Sequence, residues 1–141
     1  AAEGLGFPNG SVITPDGSTL IVGETMAQCY TAFTIGDDGS LSERRTWAEV
    51  QGTAPDGCSL DDDGAIWFAN AAAPEVVRVA EGGEILERRA TPQSAFACIL
   101  GGEDGRTLFV LTSPGFTADS AGSAAGAIWT TRVDSPGAGL P

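Results

Sequence analysis

The sequence predicts an all-β fold built from β-propeller blades, about three of them, each a four-stranded antiparallel sheet. Three observations predict it. A motif recurs: Pro8-Asn9-Gly10 leads into Pro15-Asp16-Gly17-Ser18-Thr19-Leu20-Ile21-Val22, and Pro55-Asp56-Gly57 leads into Asp62-Asp63-Gly64-Ala65-Ile66-Trp67-Phe68. A third copy keeps the turn and the apolar run, Glu103-Asp104-Gly105-Arg106-Thr107-Leu108-Phe109-Val110, but reads Phe96-Ala97-Cys98 where the motif should open. Aligned on Gly17, Gly64 and Gly105, the copies are 47 and 41 residues apart, the period of a four-stranded blade. Finally, the 20 glycines and 8 prolines suit a chain of short strands joined by many turns.

The first blade is expected over residues 8–50. Ser11 to Thr14 and Thr19 to Gly23 flank the Pro-Asp-Gly turn, Tyr30 to Ile35 alternates, and Asp37-Asp38-Gly39-Ser40 turns into a strand near Arg45 to Glu49. The second, over 55–90, repeats the plan with strands near Cys58 to Leu60, Ala65 to Ala69, Val76 to Ala80 and Glu84 to Arg88, the last pair joined at Gly82-Gly83. The third, over 96–134, has strands near Cys98 to Leu100, Thr107 to Thr112 and Ala127 to Val133. Between its last two lies Pro114 to Gly126, rich in Gly, Ala and Ser and read as a flexible surface loop. The tail 135–141 is poor in strand formers, so the third blade lacks its outer strand. Ala1 to Phe7 is a weak substitute, because two glycines break it. Trp67, Phe68, Phe109 and Trp129 are expected in the core.

Three blades do not close a ring, since propellers have four or more. A three-bladed arc leaves two blade flanks open and apolar. Twice three makes six, so a single half-propeller unit over 1–141 is expected to form a homodimer or to join a missing N-terminal half.

Composition excludes several functions. The net charge is −12 and the isoelectric point about 4.1. No basic footprint for nucleic acid exists, and an anionic membrane surface repels the chain. No apolar run approaches the ~20 residues that span a bilayer. Histidine is absent, which rules out a Ser-His-Asp or Cys-His unit and histidine-ligated zinc. Cys29, Cys58 and Cys98 share no ligand spacing and read as buried thiols. The expected location is the bacterial cytoplasm, with the periplasm as the alternative.

Any metal must therefore be held by oxygen. Asn9 and Asp56 both fall eight residues before their turn glycine, at one position of successive blades. Two oxygen-bearing side chains so placed point toward a shared axis. Asn-Gly and Pro-Asp-Gly are also plain turn signals, and Pro15-Asp16-Gly17 is read as one. The run Asp61-Asp62-Asp63-Gly64 fails as an EF-hand, which needs glycine at position six and glutamate at twelve. It is expected as a solvated hairpin turn. Glu24 and Asn70 lie at matching strand ends and serve either the channel or a turn.

These residues carry a resemblance. Phe7 to Gly17 with Leu20-Ile21-Val22-Gly23-Glu24-Thr25, Ala54 to Asp61 with Gly64 to Ala69, and the ending Arg132 to Pro141 resemble the senescence-marker-protein/gluconolactonase/luciferin-regenerating-enzyme family. The match is to the C-terminal half of a six-bladed propeller. It implies a divalent metal, most often Ca2+ with Mg2+ and Mn2+ as alternatives, held by Asn9 and Asp56, with Asp56 as general base. The implied activity is hydrolysis of a sugar lactone or related cyclic ester. The family's glutamate ligand and its substrate-orienting arginine and asparagine have no counterpart here. Met26-Ala27-Gln28-Cys29-Tyr30 and Ala71-Ala72-Ala73-Pro74 also depart from the family pattern. The alternative is a non-catalytic half-propeller that binds metal or assembles with a partner.

Overall fold

A computed structural model describes residues 1–122 and 124–139; Ser123, Leu140 and Pro141, which the sequence assigns to the long loop and the tail, lie outside them. The chain forms three antiparallel sheets in succession. The first runs β1 (Pro8–Ile13), β2 (Thr19–Glu24), β3 (Cys29–Ile35) and β4 (Leu41–Glu49), in spatial order. The second runs β5 (Pro55–Leu60), β6 (Ile66–Asn70), β7 (Glu75–Val79) and β8 (Ile85–Ala90). The third has β9 (Ser94–Gly101), β10 (Thr107–Ser113) and β11 (Ala127–Arg132), and among the described residues no fourth strand pairs with β11. These are propeller blades, the last lacking its outer strand. No helix among the described residues is long and apolar enough to cross a membrane.

The hairpins follow from local chemistry. Gly17 and Gly64 adopt φ of +74° and +79°, the left-handed region that glycine enters freely. Asp16 accepts from the N–H of Ser18 at 3.0 Å, an Asx turn.

Packing follows from alternation along the strands. Ile66, Phe68, Val77 and Val79 of the second blade join Val12, Ile21, Tyr30, Ala32 and Trp47 of the first. Trp67, Ala69 and Val76 point the other way and meet Ala95, Cys98, Leu100, Leu108 and Val110 of the third. The middle blade is thus covered on both faces, which is why β6 reads as an unbroken apolar run up to Asn70 and is buried at every position. Tyr30 fills the first seam, 6.0 Å from Trp47 edge-on and 5.7 Å from Phe68.

The outer face of the third blade has no such cover. Ala97, Leu111 and Ile128 form one cross-strand row, and Ile99 and Phe109 begin the next. Ile99, Leu111 and Ile128 are exposed. The free face of the first blade is covered only in part, over Phe33, by Arg44 and the N-terminal segment, while Ile13 in the same row is exposed. Arg44 donates to the carbonyls of Glu3 and Gly4, and its guanidinium lies 6.0 Å from the Phe33 ring. Ala1 to Phe7 therefore serves the first blade and not the edge of the third.

Other expectations are corrected. Trp129 lies on β11, an edge strand with which no further strand pairs among the described residues, and is 44% exposed. Phe109 is only half-buried, on the open face. Pro114 to Gly126 contains a single helical turn, α1 (Ala118–Ala121). Asp61 is not solvated but fully buried. It accepts from the N–H of Asp63 at 3.1 Å and of Ala65 at 3.0 Å, and pairs with Arg78 Nε at 2.7 Å. The tail crosses over it: Asp62 N–H donates to Pro136, and Ala138 N–H to Leu60.

Candidate metal and catalytic site at the inner-strand bulges

The innermost strands β1, β5 and β9 lie side by side. Each carries a β-bulge. Pro8 pairs with Glu24 and Ser11 with Val22, so Asn9 and Gly10 face Gly23 alone. Pro55 pairs with Asn70 and Cys58 with Phe68, so Asp56 and Gly57 face Ala69 alone. A bulge breaks the alternation of a strand and re-aims one side chain. The two sequence-selected residues, Asn9 and Asp56, sit in equivalent bulges of adjacent blades.

The third blade departs from this plan. Its bulge falls between Ala95, paired with Thr112, and Ala97, paired with Leu111. The extra residue is Phe96, not the Ala97 obtained by counting back from the turn glycine. Phe96 packs edge-on against Phe116, which is 82% exposed, at 6.0 Å between centroids.

The bulges approach closely. A Cβ on Gly10 would lie 2.2 Å from the carbonyl oxygen of Asp56. A Cβ on Gly57 would lie 2.8 Å from Ala97 Cα and 3.1 Å from the carbonyl oxygen of Phe96. Glycine after Asn9 and after Asp56 is thus required by space. Asp56 is half-buried, and burial pushes its carboxyl above the usual aspartate range. The Gly57 N–H and the Asn9 side chain act in the opposite direction. Asn9 is exposed and donates through Nδ2 to Thr25 Oγ1 at 3.3 Å. Thr25 Oγ1 in turn donates to the Pro55 carbonyl at 2.7 Å.

Glu24 and Asn70 are structural at their strand ends. The buried Glu24 carboxylate accepts from Gly6 N–H and Thr31 Oγ1 and lies 3.5 Å from Arg44. Asn70 Oδ1 accepts from the N–H of Ala54 at 2.9 Å and of Ala72 at 3.2 Å, and its Nδ2 donates to Glu75 at 2.8 Å. Sequence reasoning missed Thr25 and Phe96. Thr25 lies beyond a strand end with no local pattern, and Phe96 is hidden by the displaced bulge. A cavity of about 410 Å³ opens at the opposite end of β1 and β5, beside Ile13, Pro15 and Leu60, away from both candidate residues.

The profile of the SMP-30/gluconolactonase/LRE-like region matches residues 1–114. The chain belongs to this family. It is 28% identical over 140 residues to the 6-deoxy-6-sulfogluconolactonase of Pseudomonas putida, covering 94% of this chain and 48% of that protein. It is 32% identical over 149 residues to a pentonolactonase of Haloferax volcanii, covering 98% and 50%. The chain spans about half the length of the curated relatives it matches. Among solved structures, a calcium-binding regucalcin of Agrobacterium tumefaciens superposes with a TM-score of 0.76 over 92% of this chain and 47% of its own, at 22% identity. That likeness is one of fold.

The side chains suit a hard divalent cation in kind. Asn9 offers an amide oxygen and Asp56 a carboxylate, the donors such ions prefer. They are fewer than the six to eight oxygens calcium takes. Among the described residues no group of three or more His, Cys, Asp or Glu is arranged so that it could hold a metal ion. The pair therefore fits as part of a ligand shell whose remaining positions go to water, substrate or residues outside this chain.

Proposed function

We propose that this chain is a single half-propeller unit carrying part of the active site of a metal-dependent sugar lactonase. Asn9 and Asp56 hold the divalent cation, calcium first and Mg2+ or Mn2+ as alternatives, and Asp56 is the general base. The observation that supports this best is the placement of both residues in equivalent bulges of adjacent blades. The lactonase names of the relatives support the substrate class. When bound, the cation supplies positive charge that polarises the lactone carbonyl. Asp56 takes a proton from water as its oxygen attacks that carbonyl. The ring C–O bond breaks, and the proton passes to the departing ring oxygen, leaving an open hydroxy acid.

The open face of the third blade supports a second copy or a missing N-terminal half as partner. Three free thiols support a reducing, cytoplasmic location. A second reading, a half-propeller that binds metal or a partner without chemistry, is favoured by the incomplete donor set.

The test is gluconolactone hydrolysis by the purified protein, with and without chelator, alongside Asp56→Asn. The proposal expects loss of turnover with chelator, restoration by calcium, and a loss of at least about 100-fold in Asp56→Asn. It also expects Asp56→Asn to abolish the thermal stabilisation that calcium confers. Calcium binding without turnover sustains the second reading. Turnover that survives both treatments refutes the metal and the base together.

A further inference from the structure

We propose that Thr25 is a positioning residue of this site: its hydroxyl fixes which end of the Asn9 amide is offered to a ligand, and ties the Asn9 bulge to the Asp56 bulge. The proposal rests on the reading of Asn9 and Asp56 as the ligand-bearing pair.

A threonine hydroxyl has one proton to donate and two lone pairs that accept. The Pro55 carbonyl can only accept, and at 2.7 Å from Thr25 Oγ1 it takes that proton. Oγ1 is then an acceptor toward Asn9, 3.3 Å away. Only the NH2 end of the Asn9 amide can satisfy it. The flipped amide would set Oδ1 against Oγ1, two acceptors with no proton between them. Thr25 therefore favours, alongside the Asp56 carboxylate that also accepts from the Asn9 side chain, the orientation in which Nδ2 faces the protein and Oδ1 is the end left for a cation. Among the described residues no donor bonds to Asn9 Oδ1.

The same residue holds the backbone on both sides. Its N–H donates to the Phe7 carbonyl at 3.1 Å, two residues before Asn9. Its hydroxyl reaches Pro55, the residue before Asp56. Phe7 adopts φ of +64°, and its carbonyl is held in that conformation by Thr25. One residue thus meets both bulges through three bonds, of which only two need the hydroxyl. Such outer-shell partners orient the atoms that bind a metal, and losing one typically weakens metal affinity about 10–100-fold.

The substitution Thr25→Val keeps the shape and the backbone bond and deletes the hydroxyl relay. Thr25→Ser restores the relay with one methyl fewer. Calcium affinity by calorimetry is expected to fall about 10–100-fold in Thr25→Val and to recover in Thr25→Ser. Equal affinity in wild type and Thr25→Val overturns the proposal and leaves the ligand reading of Asn9 and Asp56 intact. If the wild type binds no calcium, that ligand reading fails, and the Asn9 side-chain amide protons of the metal-free protein decide on Thr25 by NMR. Slow exchange and a displaced proton shift, lost in Thr25→Val and recovered in Thr25→Ser, sustain the orienting role; unchanged signals overturn it. Should Thr25→Val not fold, Thr25→Ala is read in the same way.

Discussion

Replacing Gly10 by alanine should push the first two blades apart at the site. The new Cβ would lie 2.2 Å from the Asp56 carbonyl oxygen, 2.9 Å from Cys58 N and 3.0 Å from Gly57 Cα. All three are backbone atoms, so no rotamer change relieves the overlap. Restoring an ordinary contact needs a retreat of roughly 1 Å along the carbonyl direction. Overpacking of this kind costs about 1–3 kcal/mol, and the absence of a flexible partner places Gly10→Ala near about 3 kcal/mol. Unfolding entropy of about 2.1 cal/mol/K per residue gives roughly 0.3 kcal/mol/K for this chain, so the melting temperature should drop by about 10 °C. Calcium stabilisation should be lost as well, since the displaced atom belongs to Asp56. Gly17→Ala is the control. Its Cβ meets nothing within 4 Å, and its cost comes from a φ of +74°, about 1–2 kcal/mol. It lies at the far end of the hairpin and should leave calcium binding unchanged. Calorimetric melting with and without calcium measures both effects. A Gly10→Ala protein that melts within about 2 °C of wild type and keeps its calcium response would refute the close approach of β1 and β5.

Two further outcomes follow from buried charges. Arg78→Met should cost about 3–5 kcal/mol in urea unfolding, because it leaves the Asp61 carboxylate buried without its 2.7 Å partner; adding Asp61→Asn should recover part of the loss, and a double variant no better than the single one would show that the pair is not coupled. Burial pushes the Cys58 thiol from 9.0 to about 12. A folded-state value raised above the unfolded one means stability fully present below about pH 9 and lost as pH rises toward 12, because the unfolded thiol ionises first. The urea midpoint of wild type should therefore fall more steeply above pH 9 than that of Cys58→Ala; parallel slopes would refute the assignment.

Much of the fold was legible because each blade is locally encoded. The hairpins β1–β2, β3–β4, β5–β6 and β9–β10 each have a glycine at positive φ, Gly17, Gly39, Gly64 and Gly105, and the strands between alternate or run apolar as their burial demands. Asn9 and Asp56 were legible for the same reason: the repeat aligns them without any knowledge of tertiary structure. What escaped is nonlocal. Asp61 has the composition of a solvated turn, yet Arg78, 17 residues on, and the tail at Pro136 close over it. Trp129 has the character of a core residue, but among the described residues no strand pairs with the outer edge of β11, and it is exposed there. Counting from Gly105 assumes a bulge in the same place in every blade, and β9 has moved it to Phe96. Thr25 meets Pro55 across 30 residues of sequence, a contact no periodicity announces.

The position of the candidate site within the arc bears on how it would be completed. Asn9 and Asp56 belong to the seam between the first and second blades. That seam is closed within this chain, by Gly10 against Asp56, by Thr25 against Pro55 and by the Tyr30 cluster beneath. The uncovered face carrying Ile99, Leu111 and Ile128 belongs to the third blade, one blade further on. Covering that face should therefore change what supplies the remaining oxygens of a ligand shell without changing how Asn9 and Asp56 are held. The two contributions are separable: a weak calcium affinity in this chain alone, lost in Asp56→Asn and strengthened when the open face is covered, would assign orientation to the seam and completion to the partner.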